Sequence, residues 1–136
     1  MVRILVGLVF CVWAGLAVAQ DMPTRDIQNT ISNQMDAFRD GNVDGAWTFA
    51  APNIRRMFGQ DPNAFGRMVE RGYPMVWNND QVRFGELRVL NGHVWQQVRV
   101  TDAAGGQHVL DYMMLQTEAG WKIAAVQVVE APDVGV

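Results

Sequence analysis

Two periodicities divide the chain. From Ile27 the apolar residues return every three or four positions, as Ile27, Ile31, Met35 and Phe38, with Gln28, Asn29, Ser32, Asp36 and Arg39 between them. That is the pattern of a surface helix with one buried stripe. From Val82 onward apolar residues alternate with polar ones, the pattern of strands. The first period predicts helices as far as Gly72, and the second predicts an antiparallel meander from Val82 to Glu130, closed by Gly120-Trp121-Lys122-Ile123 and the residues after it.

Stop and start signals divide the helical part. Pro23 suits a first helical turn, and Gly41 after Asp40 is a C-terminal stop. Asn42 is an N-cap for a second helix reaching Ala51, with Ala46, Trp47 and Ala50 on its apolar side. Pro52 ends that helix and begins another turn as far as Phe58, stopped at Gly59. Asp61-Pro62 is a capping carboxylate followed by proline at the first position, and Phe65, Met68 and Val69 form the apolar face of the helix it starts. Tyr73-Pro74 should then resume an extended path.

Asn91-Gly92 is a preferred two-residue hairpin turn, because both positions tolerate positive φ. It sets Leu90 opposite His93, Arg88 opposite Trp95 and Phe84 opposite Arg99. One face then carries Leu87, Val89, Val94, Val98 and Val100, and the other Phe84, Glu86, Arg88, Trp95, Gln97 and Arg99. The first is the core face. Across the turn at Asp102–Gln107, a loop of even length puts Val109, Asp111, Met113 and Leu115 on the core face and Leu110, Tyr112 and Met114 beside Trp95; an odd loop exchanges them. The turn at Thr117–Gly120 leaves a similar choice. A three-residue loop puts Trp121, Ile123 and Ala125 beside Leu115 and Met113, and a four-residue loop puts Lys122, Ala124, Val126 and Val128 there. Helices followed by a four-strand antiparallel meander make an α+β domain with the helices on one sheet face. On the even-loop register the other face needs cover over Phe84, Trp95, Tyr112 and Met114, which are the candidate interface residues for a protein partner or a homodimer.

The first nineteen residues change the picture of compartment. Arg3, the apolar run from Ile4 to Leu16 and the small-x-small site Ala17-Val18-Ala19 read as a signal peptide over 1–19, giving a mature chain of 20–136 and an exported, periplasmic protein. The run is shorter than the roughly 20 residues that span a bilayer, so no membrane association is expected after cleavage. Cys11, the single cysteine, lies in this leader, which excludes disulfides, thiol catalysis and sulfur-ligated zinc from the mature chain. The formal net charge is −3, and loss of Arg3 makes it more negative. No basic face for nucleic acid and no polybasic run for anionic lipid is visible.

Few residues carry candidate chemistry. Asp111 interrupts an apolar strand; facing the core it would be a desolvated carboxylate suited to general-base work, and otherwise it is a structural partner of Gln96, a helix end or an arginine. His93 and His108 lack clustered carboxylates, so no metal site and no cofactor is expected, and alternation separates His108 from Asp111. Trp47, Met68, Tyr73, Trp77 and Trp121 are the candidate lining of an apolar pocket, the competing account being that the aromatics are packing. Met57, Met68, Met75, Met113 and Met114 form no Met-x-Met array for copper, and gap-filling explains them better. Arg55, Arg56, Arg67 and Arg71 offer an anion a docking face, or are solvated charges beside Asp61 and Glu70.

Ile31–Phe38 with Asp40-Gly41, the segment Ala46-Trp47 to Ala51-Pro52 and Phe58, Phe65–Tyr73, and Tyr112-Met113 with Gly120-Trp121-Lys122-Ile123 occur in an order that resembles the nuclear transport factor 2-like superfamily. More closely, the chain resembles the bacterial domain of unknown function family 4864, found in exported proteins of proteobacteria. The resemblance covers essentially the whole mature chain. It implies a cystatin-like cone of helices over a curved four-stranded antiparallel sheet, and no assigned activity. Superfamily enzymes such as ketosteroid isomerases and dehydratases place an Asp, often with His or Tyr, inside the cone, and no such set matches here residue by residue. Two functions follow as expectations. One is a non-catalytic module binding a small apolar molecule or a protein through the cone mouth or the mixed sheet face. The other is an isomerase or dehydratase with Asp111 as proton acceptor in the cone cavity.

Overall fold

The computed structural model describes residues 23–129. The expected signal peptide, Cys11 and the tail from Glu130 lie outside the described residues. The helices are α1 (Thr24–Arg39), α2 (Val43–Trp47), α3 (Pro52–Met57), α4 (Pro62–Gly72) and α5 (Pro74–Trp77), followed by strands β1 (Asn79–Leu90), β2 (His93–Asp102), β3 (Gln107–Thr117) and β4 (Gly120–Val129). The strands form one antiparallel sheet in the order β1-β2-β3-β4.

The caps are where the polar punctuation put them. The Asn42 side chain accepts from Gly45 N at 3.0 Å and the Asp61 side chain from Asn63 N at 3.0 Å, each satisfying an amide that has no partner inside its helix. Helix α4 lies close against α2 at Gly66, where a Cβ would come within 2.9 Å of a Val43 methyl carbon.

Two helical segments differ from expectation. The stretch from Asn42 does not stay helical to Ala51, because Phe49–Ala51 leaves to bond the edge of β4. Ile123 N donates to Phe49 O and Ala51 N donates to Ile123 O, both at 2.8 Å. After Gly72 the chain forms α5 rather than extending. Pro74 supplies a helical φ at the first position, and Val76 N and Trp77 N bond back to Tyr73 O at 2.9 and 3.0 Å. Asn79, buried at the start of β1, then ties three elements together: its Nδ2 donates to Met35 O and Val76 O, and its Oδ1 accepts from Arg39 at 2.7 Å.

The sheet face that meets the helices was decided by irregularities. Asn91 (φ 52°) and Gly92 (φ 79°) make the expected turn, with Leu90 opposite His93 and Arg88 opposite Trp95. A bulge at Gly85-Glu86 then shifts the register, so Phe84 faces Val98 instead of Arg99 and lies on the core side with Val82. Gln96, fully buried, holds the bulge: its Nε2 donates to Gly85 O at 3.0 Å and to Gln97 O at 2.9 Å, and its Oε1 accepts from Gln28 at 3.4 Å. Between the paired residues Thr101 and Gln107 the loop is odd. Leu110, Tyr112 and Met114 therefore point at the helices and are at most 4 % exposed, whereas Val109, Asp111 and Met113 are on the outer face.

The last hairpin is closed by Thr117 opposite Gly120, a shorter loop than either expected length. Trp121 and Ile123 align with Gln116 and Met114 on the helix side; a bulge at Ala124 then puts Val126 and Val128 on that side for the rest of the strand. Asn53 holds this second bulge, donating Nδ2 to Ala124 O at 2.9 Å. The core is the α1 stripe Ile27, Ile31, Met35 and Phe38 against Val98, Val100, Leu110 and Tyr112, closed by Phe65, Val69 and Val76. Helix α1 touches both edge strands and so lies across the sheet.

Candidate functional site: the cone cavity

The helices do not fill the space above the sheet. Between α3, α4 and the middle of β4 a cavity of about 310 Å³ opens, at the lower end of the range for ligand pockets, about 300–1,000 Å³. Ile54 and Met57 of α3, Phe58 at its C-terminal end and Met68 of α4 line one side, and Ala124–Val126 of β4 the other. Its inner wall is Phe38, Phe65, Ile123, Gln34 and Tyr112. Met57, 68 % exposed, belongs to its outer part. No Asp, Glu, Lys, Arg or His is among the lining residues.

Three polar side chains meet this apolar surface. Tyr73 donates its hydroxyl to Val126 O at 3.2 Å. Gln34, buried on α1, donates Nε2 to Ala46 O at 3.1 Å, and among the described residues its Oε1 accepts no hydrogen bond. Tyr112 is 1 % exposed, and the one contact of its hydroxyl among the described residues is Met35 Sδ at 3.9 Å. Burial, and next the neighbouring Tyr73, push the Tyr112 hydroxyl well above the ordinary tyrosine pKa, so it is a donor across the accessible pH range.

Of the residues expected to line a pocket, Met68 and Tyr73 do so. Trp47, Trp77 and Trp121 do not. Trp47 packs edge-on against Phe65 at 5.4 Å with Arg55 over its ring, so it stands behind the wall. Trp77 packs on Phe38 at 5.9 Å. Trp121 packs on the core near α1, where Thr30 Oγ1 donates to its carbonyl. All three rings are taken up by packing on the hydrophobic core, and none is among the lining residues.

The expected interface residues divide differently. Phe84, Tyr112 and Met114 face inward, because the bulge at Gly85 and the odd β2–β3 loop turn them there. Trp95 remains on the outer face, beside Arg88 and Met113. Tyr112 therefore moves from the proposed interface to the cavity wall, and the parity of one loop concealed it. Gln34 was visible only as a polar residue on the otherwise apolar side of α1.

Asp111 is not in the cone. It faces outward and pairs with Arg88, Nη2 to Oδ2 at 3.2 Å and Nη1 to Oδ1 at 3.4 Å. The pair lines an open depression with Trp95, Met113, His93 and Gln127. Arg88 is held above its ordinary pKa, first by the hydrogen bond to Asp111. A base in the cone cavity thus cannot be Asp111.

The histidines also find other work. His108 Nε2 lies 2.8 Å from Asp102 Oδ2, and Asp102 Oδ1 accepts from Ala104 N and Gly106 N, so the pair braces the β2–β3 turn. The hydrogen bond from His108, then that from Gly106, holds the Asp102 carboxyl below its ordinary pKa. His93 is exposed beside the hairpin turn. Among the described residues no cluster of His, Cys, Asp or Glu could hold a metal ion. Arg55 donates to Ala50 O, Trp47 O and Thr48 O, whereas Arg56, Arg67 and Arg71 are exposed.

The family model for DUF4864, a domain of unknown function, matches residues 20–136. A crystal structure of an NTF-2 like protein of unknown function from Shewanella oneidensis MR-1 superposes with a TM-score of 0.51 at 15 % identity, covering 80 % of this chain and 100 % of that one. At that identity the likeness shows the fold alone: α+β, helices on a curved four-stranded antiparallel sheet. No curated protein matches the chain.

Proposed function

The chain belongs to the DUF4864 family, and from that premise we propose that it is an exported binding module that takes a small apolar molecule into the cone cavity. One observation carries the reading: a cavity of about 310 Å³ whose wall is apolar apart from three neutral polar side chains. A packed domain of this size leaves few voids larger than a water molecule, and an apolar pocket with a few convergent polar groups is the form of a small-molecule site. Export rests on the leader at 1–19 and on a mature chain without cysteine.

Native mass spectrometry of protein purified from a periplasmic extract tests the proposal. The expected spectrum shows a chain beginning at Gln20 with a retained small molecule, and it reports whether the chain is a dimer. Titration with N-phenyl-1-naphthylamine, a neutral apolar fluorophore, is expected to show saturable binding. Met68→Trp, which enlarges a half-exposed side chain in the cavity wall, should weaken it at least tenfold. Dye binding that ignores Met68→Trp would place the apolar site elsewhere.

A further inference from the structure

Building on the reading of the cavity as an apolar-ligand site, we infer that its occupant is a neutral lipophilic carbonyl compound, a ketone or ester, whose oxygen accepts a hydrogen bond from Tyr112. Tyr112 lacks an acceptor that matches its hydroxyl. A buried hydroxyl without a good acceptor costs about 1–3 kcal/mol, and a thioether sulfur is a weak acceptor. The Tyr112 hydroxyl has only Met35 Sδ, at 3.9 Å, among the described residues. The other tyrosine of the wall is different, because Tyr73 already donates to Val126 O. Gln34 has committed one amide hydrogen to Ala46 O. The second amide hydrogen of Gln34 also lacks an acceptor among the described residues, but only the Tyr112 hydroxyl has no strong acceptor at all, and Tyr112 lines the cavity.

Charge narrows the class further. No basic side chain lines the cavity, so a carboxylate entering it would lose its hydration without gaining a counter-ion, which costs far more than a neutral carbonyl does. A carbonyl gives the hydroxyl its acceptor and brings no charge, while the rest of the molecule buries against Phe38, Phe65, Met68 and Val126. A pure hydrocarbon fits the wall but leaves Tyr112 as it is.

The test compares three naphthalenes of one shape on the mature chain: 2-acetylnaphthalene, 2-isopropenylnaphthalene and 2-naphthoate, by calorimetry and tryptophan fluorescence. The ketone should bind about 5–10-fold tighter than the hydrocarbon, with the carboxylate weakest. The ketone's carbonyl stretch should shift to lower frequency in the complex. Tyr112→Phe should erase the ketone's advantage and the infrared shift, leaving hydrocarbon affinity within about twofold. If the hydrocarbon binds while the ketone gains nothing and its band does not move, or if naphthoate binds as tightly as the ketone, this inference fails and the apolar pocket stands. If none of the three binds, the pocket reading fails with it. Where Tyr112→Phe does not fold, the ketone-to-hydrocarbon ratio and the bound ketone's carbonyl band, read against the ketone in hexane, still decide whether the ligand oxygen accepts a hydrogen bond in the cavity.

Discussion

Asp111 and Tyr112 are neighbours on β3, and their surroundings share almost nothing. Asp111 faces outward, paired with Arg88 at the edge of an open depression. Tyr112 faces the helices, fully buried against Met35 and the cavity. On the outer face polar groups meet each other or water, and removing one exposes little. On the inner face each group must pack or find a partner within the cone. The contrast shows where chemistry can sit in this domain: the one carboxylate in the apolar strand is spent on an outer ion pair, and the groups that meet the cavity are all neutral.

That contrast can be broken by stability measurements. Leu110→Ala, at the fully buried position on the other side of Asp111, should lower unfolding stability by about 2–5 kcal/mol in urea titration. Asp111→Ala should cost about 1 kcal/mol, and a double-mutant cycle with Arg88→Met should assign most of that to the pair. Comparable losses at the two positions would mean that the two faces are not energetically distinct.

An intermediate effect is expected at Gln96. Gln96→Leu keeps the volume but strips the acceptors Gly85 O and Gln97 O of their donor, for about 1–3 kcal/mol. Because Gln96 holds the bulge that turns Phe84 inward, amide hydrogen exchange in β1 should also quicken from Val82 to Leu87. Unchanged exchange there would show that the bulge forms without it.

The smallest effect concerns the outer turn and is set by pH. The Asp102 carboxyl is held below its ordinary value of 3.8 by His108 and by Gly106 N. Its contribution to stability is thus present above 3.8 and is lost as pH falls through the lower folded-state value. The difference in urea midpoint between the unmodified protein and Asp102→Asn should shrink as pH falls below 3.8. A difference that grows below 3.8 would mean that the folded protein does not favour the charged carboxylate.

Much of the helical half was legible in the sequence. The α1 stripe, the caps at Asn42 and Asp61 and the starts at Pro52 and Pro62 are local features, set by spacing and by which backbone amides need partners. Of the site, Met68 and Tyr73 were legible, while Tyr112 and Gln34 were not. The indole rings suggested a pocket lining and turned out to be the layer behind it, because a large ring is satisfied by any well-packed neighbour.

The sequence by itself determined that Leu110, Tyr112 and Met114 share one face and Val109, Asp111 and Met113 the other, since strand alternation allows nothing else. It determined the hairpin at Asn91-Gly92 and the order of helices before strands. Only the tertiary structure decided which set faces the cone. That choice rests on the odd β2–β3 loop and on bulges at Gly85 and Ala124, whose stray carbonyls are taken up by Gln96 of the neighbouring strand and by Asn53 of α3. One residue of slip exchanges every side chain between water and core, so the length of the β2–β3 loop placed Tyr112 at the cavity and Asp111 outside it, and the bulges turned Phe84 and Val126 inward.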